Sequence, residues 1–232
     1  MKKFSIPGFK FWFYQGKQYF TDLPVLIWLN ILTLVVLSTL SIYAKIKSKG
    51  SGIENLFSDP FYLDSGIFYL GWLTSVSEIL WCTAIAICLF SACLISTSNR
   101  RFQIFLFASA SVMLLLFFDD LFRTTLMLCF FFGTCQVVKL SVYAIYGCLL
   151  ICYAWVFRRT IAQTPYVPLL ISFFLFGFSS AIDVAPINSR GFHAMLEDGT
   201  KLIGLINLTF YFWWICQQEI KKNILSQAIK KR

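Results

Sequence analysis

The chain has 232 residues, of which 58% are hydrophobic and 19% aromatic, whereas the charged residues make up only 13%. A soluble domain carries about twice that share of charge, so the composition excludes a soluble globular domain and a disordered tail protein. The net charge of +9 is spread along the chain rather than gathered in one patch, so we expect no nucleic-acid partner. We expect the lipid bilayer to surround most of the chain.

The chain begins with a segment, residues 1–22, in which four lysines alternate with aromatic residues. This pattern predicts a cytoplasmic interfacial segment on the inner leaflet, and a partly ordered tail is the alternative. Hydropathy then predicts six transmembrane helices within residues 23–218, followed by a basic cytoplasmic tail at 219–232. The predicted spans are 23–44, 67–97, 102–118, 140–157, 168–185 and 196–216. The predicted fold is therefore all-α, a polytopic integral membrane helix bundle.

The apolar run 126–138 leaves the number of spans open. As a helix it would be about 20 Å long, shorter than the ~30 Å hydrocarbon core, and Lys139 separates it from the next span. We interpret it as a re-entrant, interfacial or outer segment. If it did cross, the bundle would have seven spans.

The basic residues predict which way the bundle faces. With six spans, both termini and two short loops lie on one side, where thirteen cations face only Asp22 and Glu219. Because Lys and Arg near membrane spans stay in the cytoplasm, we predict cytoplasmic termini and a location in the cell (inner) membrane. The thirteen cations are Lys2, Lys3, Lys10, Lys17, Arg100, Arg101, Arg158, Arg159, Lys221, Lys222, Lys230, Lys231 and Arg232.

Small and polar residues within the predicted spans indicate helix packing. All eight cysteines lie in apolar segments and are interpreted as small packing residues, without a disulfide or metal role. Ala84, Cys88 and Ala92 recur at every fourth position, which lets a neighbouring helix approach closely. Asn30 and Asn207 are expected to form hydrogen bonds between helices.

Ionisable residues near the outer ends of the spans form the candidate site. With a rise of ~1.5 Å per residue, Glu78 lies ~30 Å above Ser98 and Asp119 ~27 Å above Arg101, so carboxylates from different helices reach one level. Ionisable groups at such a depth are costly, and functional by default. The candidate polar site comprises Glu78, Asp119, Asp120, Arg123, Asp183, His193, Glu197, Asp198 and Lys201.

Two interpretations of this polar layer stay open. Asp119 with Arg123, and Glu197 with Lys201, have the i, i+4 spacing of helical ion pairs. In the first interpretation, the charges simply end the spans at the lipid–water boundary. Alternatively, Glu78 faces the bundle interior, because hydrophobic sequence flanks it on both sides. In that case it could bind a cation or a substrate head group.

Three functional classes fit these residues. We favour a noncatalytic membrane subunit or interaction protein that binds a protein partner, a second copy, a cation or a lipid head group. A small ion- or proton-coupled carrier would also need carboxylates in a cavity. A metal-dependent lipid hydrolase is weakened by the single histidine, His193, since zinc catalysis commonly uses several. The sequence contains no haem or nucleotide motif, and a carboxylate-bound cation is the cofactor that the chemistry allows.

Overall fold

The computed structural model describes residues 7–47, 71–95, 99–133, 135–185 and 190–230. All regular structure in these ranges is α-helical, as predicted, and is divided among seven helices. They are α1 (Pro7–Lys47), α2 (Trp72–Leu94), α3 (Arg100–Phe122), α4 (Thr124–Phe132), α5 (Cys135–Ala162), α6 (Val167–Val184) and α7 (Arg190–Lys230).

Five of these helices are long and apolar enough to cross a membrane, namely α1 (over Pro24–Tyr43), α2, α3, α5 and α6. They coincide with five of the six predicted spans, which supports a helical membrane bundle. The sixth predicted span, 196–216, lies in α7. This helix is long enough to cross a membrane, but it is not among the five and also carries the polar residues Asn207, Gln217 and Gln218. That α7 crosses, and that residues 1–22 lie on the inner leaflet, remain predictions.

The run 126–138 does not form one helix. Its first part belongs to α4, which has nine residues and ends at Phe132, so it is about 14 Å long and too short to cross a bilayer. Gly133 then adopts a left-handed conformation with φ of 71°, which glycine tolerates because it has no Cβ. Phe130 and Phe131 are 88% and 80% exposed on this short helix, as expected of aromatic side chains at a membrane surface.

Helix α7 forms the centre of the bundle, packed against α1, α2 and α6. The predicted small-residue stripe on α2 is confirmed, because Ala84, Cys88 and Ala92 are all fully buried. These residues share one apolar cluster with Leu205 and Phe212 of α7. The small side chains therefore let α2 lie close to its neighbours, in line with the behaviour of small residues at membrane helix interfaces.

A pair of amides connects α1 to α7. The Asn207 side chain is completely buried, and its Nδ2 donates to Asn30 Oδ1 at 2.8 Å, while Asn30 Nδ2 donates to Asn207 Oδ1 at 3.2 Å. The predicted hydrogen bonds between helices are thus confirmed for both residues.

We expect Asn207→Leu to lower the free energy of unfolding by about 1 kcal/mol, since Asn30 loses its partner inside the bundle. The double variant Asn30→Leu, Asn207→Leu should recover most of that loss, because it leaves no polar group unpaired. Thermal unfolding in a mild detergent measures both. Equal destabilisation in the single and double variants would contradict this role for the amide pair.

The interpretation of all cysteines as packing residues was wrong for two of them. Cys129 of α4 and Cys135 of α5 form a disulfide, with Cα atoms 4.5 Å apart. The sequence spacing of six residues gave no sign of it, because the pairing depends on the reversal of the chain at Gly133. Six other cysteines are free thiols, among them the buried Cys88 and Cys216.

The disulfide can be tested with a maleimide reagent on unfolded protein. We expect Cys129 and Cys135 to react only after reduction, whereas exposed thiols such as Cys148 react without it. Peptide mass spectrometry of the labelled protein measures this. Labelling of Cys129 before reduction would contradict the disulfide.

Candidate functional site

A cavity of about 920 Å³ lies where the first residues of α2, α5 and α7 meet the last residues of α3 and α6, with α4 beside them. Eight of the nine candidate residues line it, and His193 does not. The structure therefore brings carboxylates from four helices together around one space. The charged residues of its lining are Glu78, Asp119, Asp120, Arg123, Lys139, Asp183, Glu197, Asp198 and Lys201.

One ion pair in the cavity connects α3 to α7. The ammonium of Lys201 contacts the Asp120 carboxylate, and both side chains keep only about a fifth of their surface exposed. Trp81 of α2 also donates its indole N–H to Asp120, at 3.1 Å. The spacing predicted an ion pair between Glu197 and Lys201 within α7. In the structure, the ion pair of Lys201 is with Asp120 of α3.

A second ion pair connects α5 to α6. Lys139 Nζ lies 2.6 Å from Asp183 Oδ1, and the Tyr143 hydroxyl donates to Asp183 Oδ2, also at 2.6 Å. Lys139 and Tyr143 were missed as site residues. A signal was present, since a lysine that interrupts an apolar run, with a tyrosine one turn later, can lie on one helix face at the level of the other charges.

Asp119 has a structural role that the sequence did not reveal. Helix α3 ends at Phe122, and Arg123 adopts a left-handed conformation with φ of 48°, which is strained for a residue with a side chain. The Asp119 carboxylate accepts hydrogen bonds from the Thr124 hydroxyl and from the backbone N–H and hydroxyl of Thr125. It thereby caps the start of α4, and Arg123, the expected helical partner of Asp119, lies outside α3 in the turn between the two helices.

His193 lies next to the cavity and contacts Glu197. Its Nε2 is 2.9 Å from the carbonyl oxygen of Ile182, and its Nδ1 is 3.4 Å from Glu197 Oε2. A carbonyl oxygen only accepts, so Nε2 carries a hydrogen. The imidazole thereby connects α7 to the last turn of α6 and lies beside the Glu197 side chain.

Among the residues that the structure describes, no three His, Cys, Asp or Glu side chains are placed to hold one metal ion. What the described part of the cavity offers is an excess of carboxylates, beside the aromatic side chains of Trp81, Tyr143 and Tyr146.

Fold and cavity together define a helical membrane-type bundle with a polar cavity at one end. Residues 26–215 match the family described as "Domain of unknown function (DUF8692)", and the chain belongs to this family. No curated protein and no solved structure matches the chain.

Proposed function

We propose that the protein is a noncatalytic membrane binding protein whose cavity binds an organic ammonium group. The observation that carries this proposal is the composition of the cavity lining, where six acidic side chains face three basic ones. Two of the cations, Lys139 and Lys201, are already in ion pairs with aspartates. Because excess negative charge is costly within a bilayer, a bound cation would stabilise the site.

Volume and lining favour an organic cation over a metal ion. A cavity of about 920 Å³ is at the upper end of the range for small-molecule sites, roughly 300–1,000 Å³, and exceeds what one ion needs. Tyr143 and Tyr146 add half-buried aromatic side chains to the lining, and aromatic faces attract ammonium groups through their quadrupole. A protonated amine would thus meet both carboxylates and rings.

The proposal includes the orientation of the bundle, with the cavity at the outer membrane surface and both termini in the cytoplasm. The distribution of Lys and Arg supports this orientation. The disulfide between Cys129 and Cys135 supports it independently, because α4 lies at the cavity end and disulfides persist outside the reducing cytosol.

Three six-carbon probes that differ only in their polar group test the proposal. We expect hexylamine to raise the thermal unfolding temperature of the purified protein in a dose-dependent manner, since only a ligand that prefers the folded state stabilises it. Hexanol and hexanoate control for the chain and for the opposite charge. Equal stabilisation by hexylamine and hexanol would overturn the proposal.

A carrier is the second candidate, and the two ion pairs between helices favour it. Lys201 with Asp120, and Lys139 with Asp183, each join different helices, so protonation of either aspartate would weaken a contact between two helices that line the cavity. Proton uptake by proteoliposomes on addition of hexylamine would support a carrier. Binding without proton or amine movement would support the binding protein.

A further inference from the structure

The two ends of the cavity differ in chemistry. The charged residues lie at one end, whereas the other end is lined by apolar side chains of α3, α5 and α6, namely Leu116, Leu150, Phe173 and Phe176. Leu150 follows Lys139 by eleven residues on α5, and Phe173 precedes Asp183 by ten residues on α6. At ~1.5 Å per residue the cavity reaches about 15 Å from its charged end towards the middle of the bundle.

Helix α5 is held to the bundle at two separated levels. At the charged end, Lys139 contacts Asp183 of α6. Further along, the hydroxyl groups of Tyr153 and Ser109 of α3 lie 2.5 Å apart, and the Tyr153 ring stacks on Phe105 at 6.0 Å. Beyond Tyr153, the Phe157 ring also packs against Phe105 at 5.5 Å and Thr160 is buried, so this second level continues to the end of the helix.

Two glycines lie between these levels and leave a gap between α5 and α6. Gly147 of α5 and Gly177 of α6 both line the cavity, and a Cβ atom added at either would meet nothing within 4 Å. An apolar gap in a bilayer forfeits dispersion contacts on its lining unless something fills it. Because all but one of the residues of α5 are at least partly exposed and the helix is apolar enough to cross a membrane, a hydrocarbon chain of a lipid is the available filler.

We infer that the cavity holds one lipid molecule with an ammonium head group. The head lies near Glu197 and Asp198, and one acyl chain lies between α5 and α6 at Gly147 and Gly177. This inference rests on the proposed function, because it assigns the ammonium group to a lipid rather than to a free amine. Charge complementarity at one end and apolar lining at the other select an amphiphile of this kind.

Three phospholipid probes test the assignment by native mass spectrometry of the full-length protein in mild detergent. Phosphatidylethanolamine carries both the ammonium and the chains, phosphatidylglycerol of identical chains lacks the ammonium, and glycerophosphoethanolamine lacks the chains. We expect phosphatidylethanolamine to remain bound most strongly, by at least tenfold over each of the others, because one charge-assisted contact or about two buried methylene groups already contribute a factor of that size.

Variants that fill the apolar gap provide the structural test. Gly147→Leu and Gly177→Leu should each reduce retained phosphatidylethanolamine at least tenfold, because the four carbon atoms of the new side chain displace at least about two methylene groups of the acyl chain. Cys148→Leu is the matched control, since it adds bulk to the exposed face of α5 outside the cavity. It should bind phosphatidylethanolamine as the wild type does.

The outcomes separate the two claims. Equal retention of phosphatidylglycerol and phosphatidylethanolamine would overturn the ammonium site, and with it the proposed function. Glycerophosphoethanolamine binding as tightly as phosphatidylethanolamine would overturn only the chain site and leave the proposed function standing. The chain site would also be overturned if Gly147→Leu and Gly177→Leu both bound phosphatidylethanolamine as Cys148→Leu does.

Discussion

Lys201→Met is expected to lower the free energy of unfolding by about 3 kcal/mol, the lower end of the range for removing one partner of a buried ion pair. The lower end applies because the two side chains keep 23% and 20% of their surface exposed. Without the ammonium, the Asp120 carboxylate keeps the Trp81 indole as a donor, but it lies in a cavity whose other carboxylates, including Asp198, repel it. Thermal unfolding in detergent measures the change.

Two further variants separate the ion pair from a general effect of losing a lysine. The double variant Lys201→Met, Asp120→Asn should recover at least half of the loss, because it removes the uncompensated charge together with its partner. Lys222→Met is the control, since Lys222 is 49% exposed and 3.5 Å from Glu219 on the same helix. It should change stability by no more than ~0.5 kcal/mol. A double variant less stable than Lys201→Met would contradict the ion-pair account.

The double variant Glu197→Gln, Asp198→Asn is expected to weaken hexylamine binding by about 100-fold. It removes two carboxylates from the cavity lining, and each charge-assisted contact with an ammonium contributes about 1.5 kcal/mol. Both replacements keep the shape of the side chain, so the cavity should persist. The dose dependence of the thermal shift gives the affinity.

Glu219→Gln is the matched control for this binding experiment. It makes the same chemical change on the same helix, about 33 Å from Glu197 along α7, where Glu219 accepts a hydrogen bond from Asn99 at 2.6 Å. It should change the unfolding temperature without changing the hexylamine affinity. Equal affinity in the double variant and in Glu219→Gln would count against an ammonium site at Glu197 and Asp198.

The parts of the structure that follow from local sequence were predicted well. Long apolar segments and the stripe of Ala84, Cys88 and Ala92 specify helices and a close helix contact, because both depend only on period and residue size. The common level of the carboxylates follows from helix rise alone. That reasoning placed Glu78, Asp119, Asp183 and Glu197 at one height, and the structure places all four around one cavity.

What the sequence did not reveal depends on how the helices rotate and on where the chain reverses. The pairing of Lys201 with Asp120, and of Lys139 with Asp183, joins residues far apart in sequence, and helical spacing cannot identify such partners. The Cys129–Cys135 disulfide depends on the turn at Gly133. The capping role of Asp119 depends on α3 ending at Phe122, where the sequence has neither a glycine nor a proline to mark the end of a helix.

An experimental density map of the protein in nanodiscs that contain phosphatidylethanolamine tests the central claim most directly. We expect head-group density next to Glu197 and Asp198, within ~4 Å of a carboxylate oxygen, continuous with a chain that passes between Gly147 and Gly177. A map in which α5 packs directly onto α6 at these two glycines, or in which Glu197 and Asp198 point away from a shared cavity, would contradict the claim.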